Sequence, residues 1–116
     1  MRNLINALII PAQLNAPVRV EPTENSVENY QSLVAGNIEA ITGNGWHVLL
    51  NDQAMHLPLP LNPRAEVLIR EAGVPLEDTV GGTAVFLGHG SSGNDANVPG
   101  HVVSLAERLF ETRLAA

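Results

Sequence analysis

The main apolar runs of this chain are short, and each is closed by a residue that breaks regular structure. Leu4-Ile5-Asn6-Ala7-Leu8-Ile9-Ile10 stops at Pro11, a helical pattern from Val27 to Val34 meets Gly36, and Thr83-Ala84-Val85-Phe86-Leu87 ends at Gly88. Such punctuation favours short strands and short helices. The sequence therefore predicts many short elements around one core, and the whole span 1–116 reads as one domain.

Leu4 to Ile10 reads as a buried strand, and Pro17-Val18-Arg19-Val20-Glu21 alternates apolar with charged residues as a half-buried one does. The short connection between them predicts an antiparallel pair. Asn25 followed by Glu28 has the form of a capping box, with Val27, Tyr30, Leu33 and Val34 as the apolar stripe of a first helix. Asn37 to Ile41 and Trp46 to Leu50 flank Gly43-Asn44-Gly45, which favours a hairpin. Proline alternates with leucine over His56-Leu57-Pro58-Leu59-Pro60-Leu61, so this stretch is expected to be extended surface chain or an edge. Asn62-Pro63 starts a second helix with Gly73 as its stop and Val67, Leu68 and Ala72 as its stripe. After the strand Thr83–Leu87, the residues Gly88 to Asn97 read as a loop. A third helix is expected over Pro99 to Leu114, with Val102, Leu105, Ala106, Leu109 and Phe110 facing inward. The order ββαββαβα defines an α+β fold: a largely antiparallel sheet with helices packed on it.

Composition removes several functions. There is no cysteine, so disulfides, thiolate metal sites and thiol nucleophiles are excluded, and a reducing compartment fits. All six basic side chains are arginine, which excludes a Walker-A or Schiff-base lysine. The net charge of −6 disfavours nucleic-acid binding, because phosphate neutralisation needs cations. The opening apolar run is too short and too interrupted for a signal peptide or a membrane span, so a soluble cytoplasmic protein is expected.

Gly88-His89-Gly90-Ser91-Ser92-Gly93 spells G-x-G-x-x-G after a strand, but Asn94 to Val98 intervene before the next helix, and too little chain follows for a dinucleotide-binding unit. The serines lack the flanking glycines of a nucleophile elbow, since Ser91 follows His89 by two and Ser92 precedes Asn94 by two. The loop can still offer polar contacts to a small ligand through His89, Ser91, Ser92, Asn94 and Asp95. His47, His56, His89 and His101 are too scattered to show a ligand spacing, so no metal and no cofactor is expected; His47 reads as a strand residue at the edge of the core. Arg64 is expected to pair with a nearby carboxylate.

Several blocks in fixed order carry a resemblance. Ala7-Leu8-Ile9-Ile10-Pro11-Ala12 with Pro17-Val18-Arg19-Val20, Leu33-Val34-Ala35-Gly36-Asn37-Ile38-Glu39-Ala40, Leu59-Pro60-Leu61-Asn62-Pro63-Arg64-Ala65, Gly82-Thr83-Ala84-Val85-Phe86-Leu87-Gly88 and Asp95-Ala96-Asn97-Val98-Pro99 together resemble the DUF3846 family. The likeness implies a protein of actinobacterial phages or mobile elements acting in a host cytoplasm, and it brings no established catalytic residues. In that setting the expected role is non-enzymatic: binding and modulating a host protein through a strip formed by Leu57, Leu59 and Leu61. The alternative is a small-ligand or nucleotide-sequestering protein that uses the Gly88–Asn97 loop. A structural module or DNA mimic assembled as a homodimer is the third reading.

Overall fold

The computed structural model of the protein describes residues 3–53, 58–90 and 93–114. Its strands are β1 (Leu4–Ile10), β2 (Arg19–Glu24), β3 (Ile38–Thr42), β4 (Trp46–Asn51), β5 (Ala84–His89) and β6 (Asp95–Ala96), and its helices are α1 (Val27–Val34), α2 (Pro63–Glu71) and α3 (Gly100–Phe110). All strands join one antiparallel sheet in the order β2-β1-β5-β4-β3, with β6 paired to the end of β5. The fold is thus the expected α+β arrangement, with a short sixth strand added.

Both faces of the sheet are covered, which explains why β4 is buried along its whole length and β5 along all but its last residue. On one face Leu8, Ile10, Trp46, Val48, Leu50 and Phe86 pack with Leu68 and Ile69 of α2 and with Val102 and Ala106 of α3. On the other, Ile5, Ala7, Ile9, Leu49, Val85 and Leu87 pack against Tyr30 and Val34 of α1. Trp46 closes one end of the larger layer against Phe86, the ring centroids 5.7 Å apart and tilted by 41°. Gly43 makes that possible, because a Cβ there would overlap the indole. The β3–β4 hairpin turns at Gly43-Asn44-Gly45 as expected, with Gly45 at φ +80°.

Several boundaries differ from the sequence reading for local reasons. The first helix is capped by Ser26, whose Oγ accepts from Asn29 N at 3.2 Å, while the expected cap, Asn25, instead accepts from the Tyr30 hydroxyl at 2.9 Å. Val27 is 61% exposed and lies off the buried stripe. In α2 the buried residues are Ala65, Leu68 and Ile69; Val67 faces outward, because the helix phase is set by its cap. The third helix stops at Phe110, where Glu111 turns left-handed at φ 51°. β2 starts two residues later than expected, ends three later and takes in Pro22. The region read as a loop from Gly88 is largely a hairpin, since β5 continues to His89 and β6 pairs back onto it.

The start of α2 is the most heavily bonded polar point. Asn62 is fully buried; its Oδ1 accepts from Ala65 N at 3.1 Å, and its Nδ2 donates to the carbonyls of Ile10 at 2.8 Å and Gly82 at 2.9 Å. Arg64 does not pair with a carboxylate: its Nη2 lies 2.7 Å from the Pro11 carbonyl and 3.0 Å from those of Gln13 and Ala16, so it fastens the β1–β2 connection. Among the described residues no helix is long and apolar enough to cross a membrane. Replacing Asn62 with Ala removes the cap and the amide's bonds to the Ile10 and Gly82 carbonyls, so urea denaturation is expected to show a loss of about 2–4 kcal/mol. A loss below about 1 kcal/mol would mean that water replaces the amide.

Candidate functional site

The β5–β6 hairpin places its polar side chains on the α1 face of the sheet. Gly88 pairs with Ala96 and His89 with Asp95, and the turn is closed by Gly90 N donating to the Asn94 carbonyl at 2.6 Å. The close approach needs glycine at position 88, where a Cβ would collide with the Asn97 carbonyl. Asn97 in turn binds the hairpin to β1: its Oδ1 accepts from Asn6 N at 2.8 Å, and Val98 N donates to the Asn6 carbonyl at 2.9 Å. Because β4 holds the other side of β5, with His47 opposite Leu87, side chains from three strands meet at this end of the sheet.

There His47 Nε2 lies 2.9 Å from Asp95 Oδ1, and the His47 and His89 rings stack with centroids 4.6 Å apart and a 36° tilt. His47 is buried, Asp95 half-buried and His89 exposed. Burial pulls the His47 pKa below its usual value and the neighbouring His89 adds to this, against the opposing pull of Asp95. His47 is therefore neutral at pH 7, with its proton on Nε2 toward the carboxylate and Nδ1 left as a buried acceptor that no described protein group satisfies. Tyr30 of α1 faces the same charge: burial first, and Asp95 second, push its phenol up to about 12, so it stays protonated and donates to Asn25.

Of the five hairpin residues singled out by sequence, the structure brings His89 and Asp95 into one cluster. Asn94 sits at the exposed turn and gives its backbone carbonyl to Gly90. Ser91 and Ser92 lie outside the described residues, as do Leu57 and His56. Leu59 is half-buried and Leu61 is 61% exposed, bridged to Gly81. His101 is exposed in the first turn of α3, the helix layer on the opposite face. Sequence reasoning missed the pairing of His47 with His89. Each shares a face with its apolar neighbours, Leu49 and Leu87, but the two strands are far apart in sequence and their register carries no local signal. Among the described residues no group of three or more His, Asp or Glu is arranged to hold a metal ion. The cluster can accept and donate hydrogen bonds at Asp95 and the imidazoles, and it presents the exposed His89 ring as a flat surface.

These features define an α+β domain with a covered antiparallel sheet and a histidine–aspartate cluster at one end. The chain belongs to the DUF3846 family, described as a domain of unknown function, whose model matches residues 5–111. No curated protein and no solved structure matches it.

The His47 shift has a consequence for stability. A base with a depressed folded pKa binds fewer protons folded than unfolded, so its contribution is complete above the unfolded imidazole value of about 6.5 and is lost as pH falls through the folded value. The thermal midpoint is expected to drop between about pH 7 and pH 5, and His47→Gln to remove part of that slope. Equal slopes in the two proteins would show that His47 does not contribute.

Proposed function

We propose that this domain is a non-enzymatic binding protein that holds a small planar ligand, of nucleobase or nucleotide type, at the β5–β6 hairpin. The observation that carries the reading is the 2.9 Å contact of a buried, neutral His47 with Asp95 beneath the exposed His89 ring. A buried imidazole with one nitrogen unsatisfied is a poor way to fill a core, and an apolar residue of that size would stabilise the fold more. As a recognition site the same groups make sense. An exposed imidazole face can stack a base, a contact of about 1–3 kcal/mol for aromatic platforms, and Asp95 can accept from an amino or hydroxyl group. The net charge of −6 favours a single small ligand over a nucleic-acid polymer. We place the protein in the cytoplasm of a host, encoded by a phage or mobile element, where it would sequester a host metabolite or signal.

A thermal-shift and calorimetric screen with nucleosides and nucleotides tests this. The expected result is stabilisation of about 2.7 kcal/mol at a ligand concentration near one hundred times Kd, lost in His89→Ala and in Asp95→Asn. A flat screen across the set would reject the reading.

A second reading, capture of a host protein through Leu57, Leu59 and Leu61, is favoured by the 61% exposure of Leu61 and the 42% exposure of Val67 on the helix that follows it. Changing Leu59 and Leu61 together to Ser should then abolish co-purification of a stoichiometric partner while the circular dichroism spectrum is unchanged. Undiminished capture by that double variant would remove the strip from consideration.

A further inference from the structure

The two edges of the sheet are not alike. In β2 the hydrogen bond from Asn25 N to the Asn3 carbonyl sets the alternation, so Arg19, Glu21 and Thr23 point their backbone groups at β1 while Val20, Pro22 and Glu24 point theirs outward. Pro22 has no N–H to offer, and it interrupts that edge in its middle. At the opposite edge, Gly43 N donates to the Trp46 carbonyl and Asp52 N to the Asn37 carbonyl. By the same alternation Glu39 and Ile41 bond to β4, and Ile38, Ala40 and Thr42 present N–H and C=O groups outward. Among the described residues no strand pairs with that edge, and Ala40 and Thr42 are exposed. The sequence Ile38-Glu39-Ala40-Ile41-Thr42 carries no proline, no lysine or arginine and no left-handed residue that would twist the edge away.

Charge decides what could add to it. Glu39 of β3, Asp52 just after β4 and Asp78 line one cavity of about 80 Å³, with Leu50 and Val80 beside them. None of these three carboxylates takes part in an ion pair among the described residues. A second copy of this chain, itself at −6, would bring like charge to like charge at the same place. An extended segment with arginine or lysine at alternate positions would place cations on the face where Glu39 points and satisfy the outward backbone groups at once.

We propose that the open edge of β3 is a docking surface for an extended, basic segment of a partner protein, which binds as a seventh strand. The surface is separate from the β5–β6 hairpin and does not depend on the ligand reading given above. The test uses the full chain, isotope-labelled, and a blocked peptide of about seven residues alternating valine with arginine, a length that matches one strand. A control peptide carries glutamate in place of arginine. The arginine peptide should shift the amide signals of Ile38, Ala40 and Thr42 and slow their hydrogen exchange, and the glutamate peptide should not. Ala40→Pro, which removes an outward donor without touching the β3–β4 ladder, should weaken binding about tenfold or more. Should that variant fold poorly, the pair Glu39→Gln and Asp78→Asn gives an independent reading: affinity falls, and its decline between about 0.05 M and 0.5 M salt flattens. Three results would overturn the proposal: no response at β3, equal binding of the two peptides, or β3 amides already protected in the free protein because it sediments as a dimer through this edge.

Discussion

The side chain of Asn62 is the joint on which the rest of the fold depends. One buried amide caps α2, holds the last carbonyl of β1 and holds the carbonyl of Gly82 on the approach to β5. It thereby helps to fix a helix against two central strands, together with the bonds from Asn62 N to the Val80 carbonyl and from Val80 N to Glu66 Oε2. Arg64, two residues on, extends the same joint to the carbonyls of the β1–β2 connection. With β1 and β5 held at their shared end by the pairs Ile10–Ala84, Ile9–Val85 and Leu8–Phe86, the two strands part toward the other end. The segment Asp95–Val98 fills the space between them, bonded to β5 on one side and to Asn6 on the other. The hairpin that carries His89 and Asp95 therefore occupies the gap where β1 and β5 part.

A sheet covered on both faces has little use for polar side chains, so those it buries are informative. Thr23 accepts from Asn29, Asn51 donates to the carbonyls of Val34 and Ala35 and accepts from Gln53 N, and Asn62 is saturated. Each of these ties a helix end or a turn to the sheet, which is the ordinary reason to bury an amide or a hydroxyl. His47 is the exception. Its partner is a half-exposed carboxylate, its second nitrogen has no described partner, and it caps no element. Thr23, Asn51 and Asn62 thus fasten helix ends and turns, and Arg64, whose Nε is also without a described partner, fastens the β1–β2 connection, whereas His47 fastens none of these and faces the half-exposed Asp95.

Local chemistry was legible in the sequence and long-range pairing was not. Asn62-Pro63 as a helix start, Gly43-Asn44-Gly45 as a turn and Pro11 as the stop of β1 are short-range rules that the structure follows, whereas β5 runs through Gly88 to His89 and α1 ends at a left-handed Ala35 one residue before Gly36. The competition between Asn25 and Ser26 for the cap was decided by Tyr30, whose hydroxyl claims the Asn25 side chain from inside the first helix turn. Sequence alone favours a carboxylate for Arg64, yet its Nη2 meets three carbonyls brought together by tertiary structure. The same limit hid the site. His89 and Asp95 are six residues apart and were visible as a polar loop, but their union with His47 requires the pairing of β4 with β5, more than thirty residues apart in sequence. Strand register over such a distance depends on which apolar faces meet, and those are settled by the whole core at once.

The asymmetry of the sheet edges follows from similar reasoning, applied to what evolution must prevent. An exposed strand edge invites pairing, and the usual defence is a proline, a charge pointing inward or a twist. β2 has the proline at an outward position, where it costs the native ladder nothing, because Asn6 opposite it makes its bonds to Asn97 and Val98 instead. β3 has neither proline nor a left-handed residue, and the charge it does carry, Glu39, lies with Asp52 and Asp78 beside Leu50 and Val80. Charge differs from proline as a defence in one respect. Proline blocks every strand alike, whereas a cluster of carboxylates repels acidic strands and attracts basic ones, so an edge guarded only by charge is also an edge that selects.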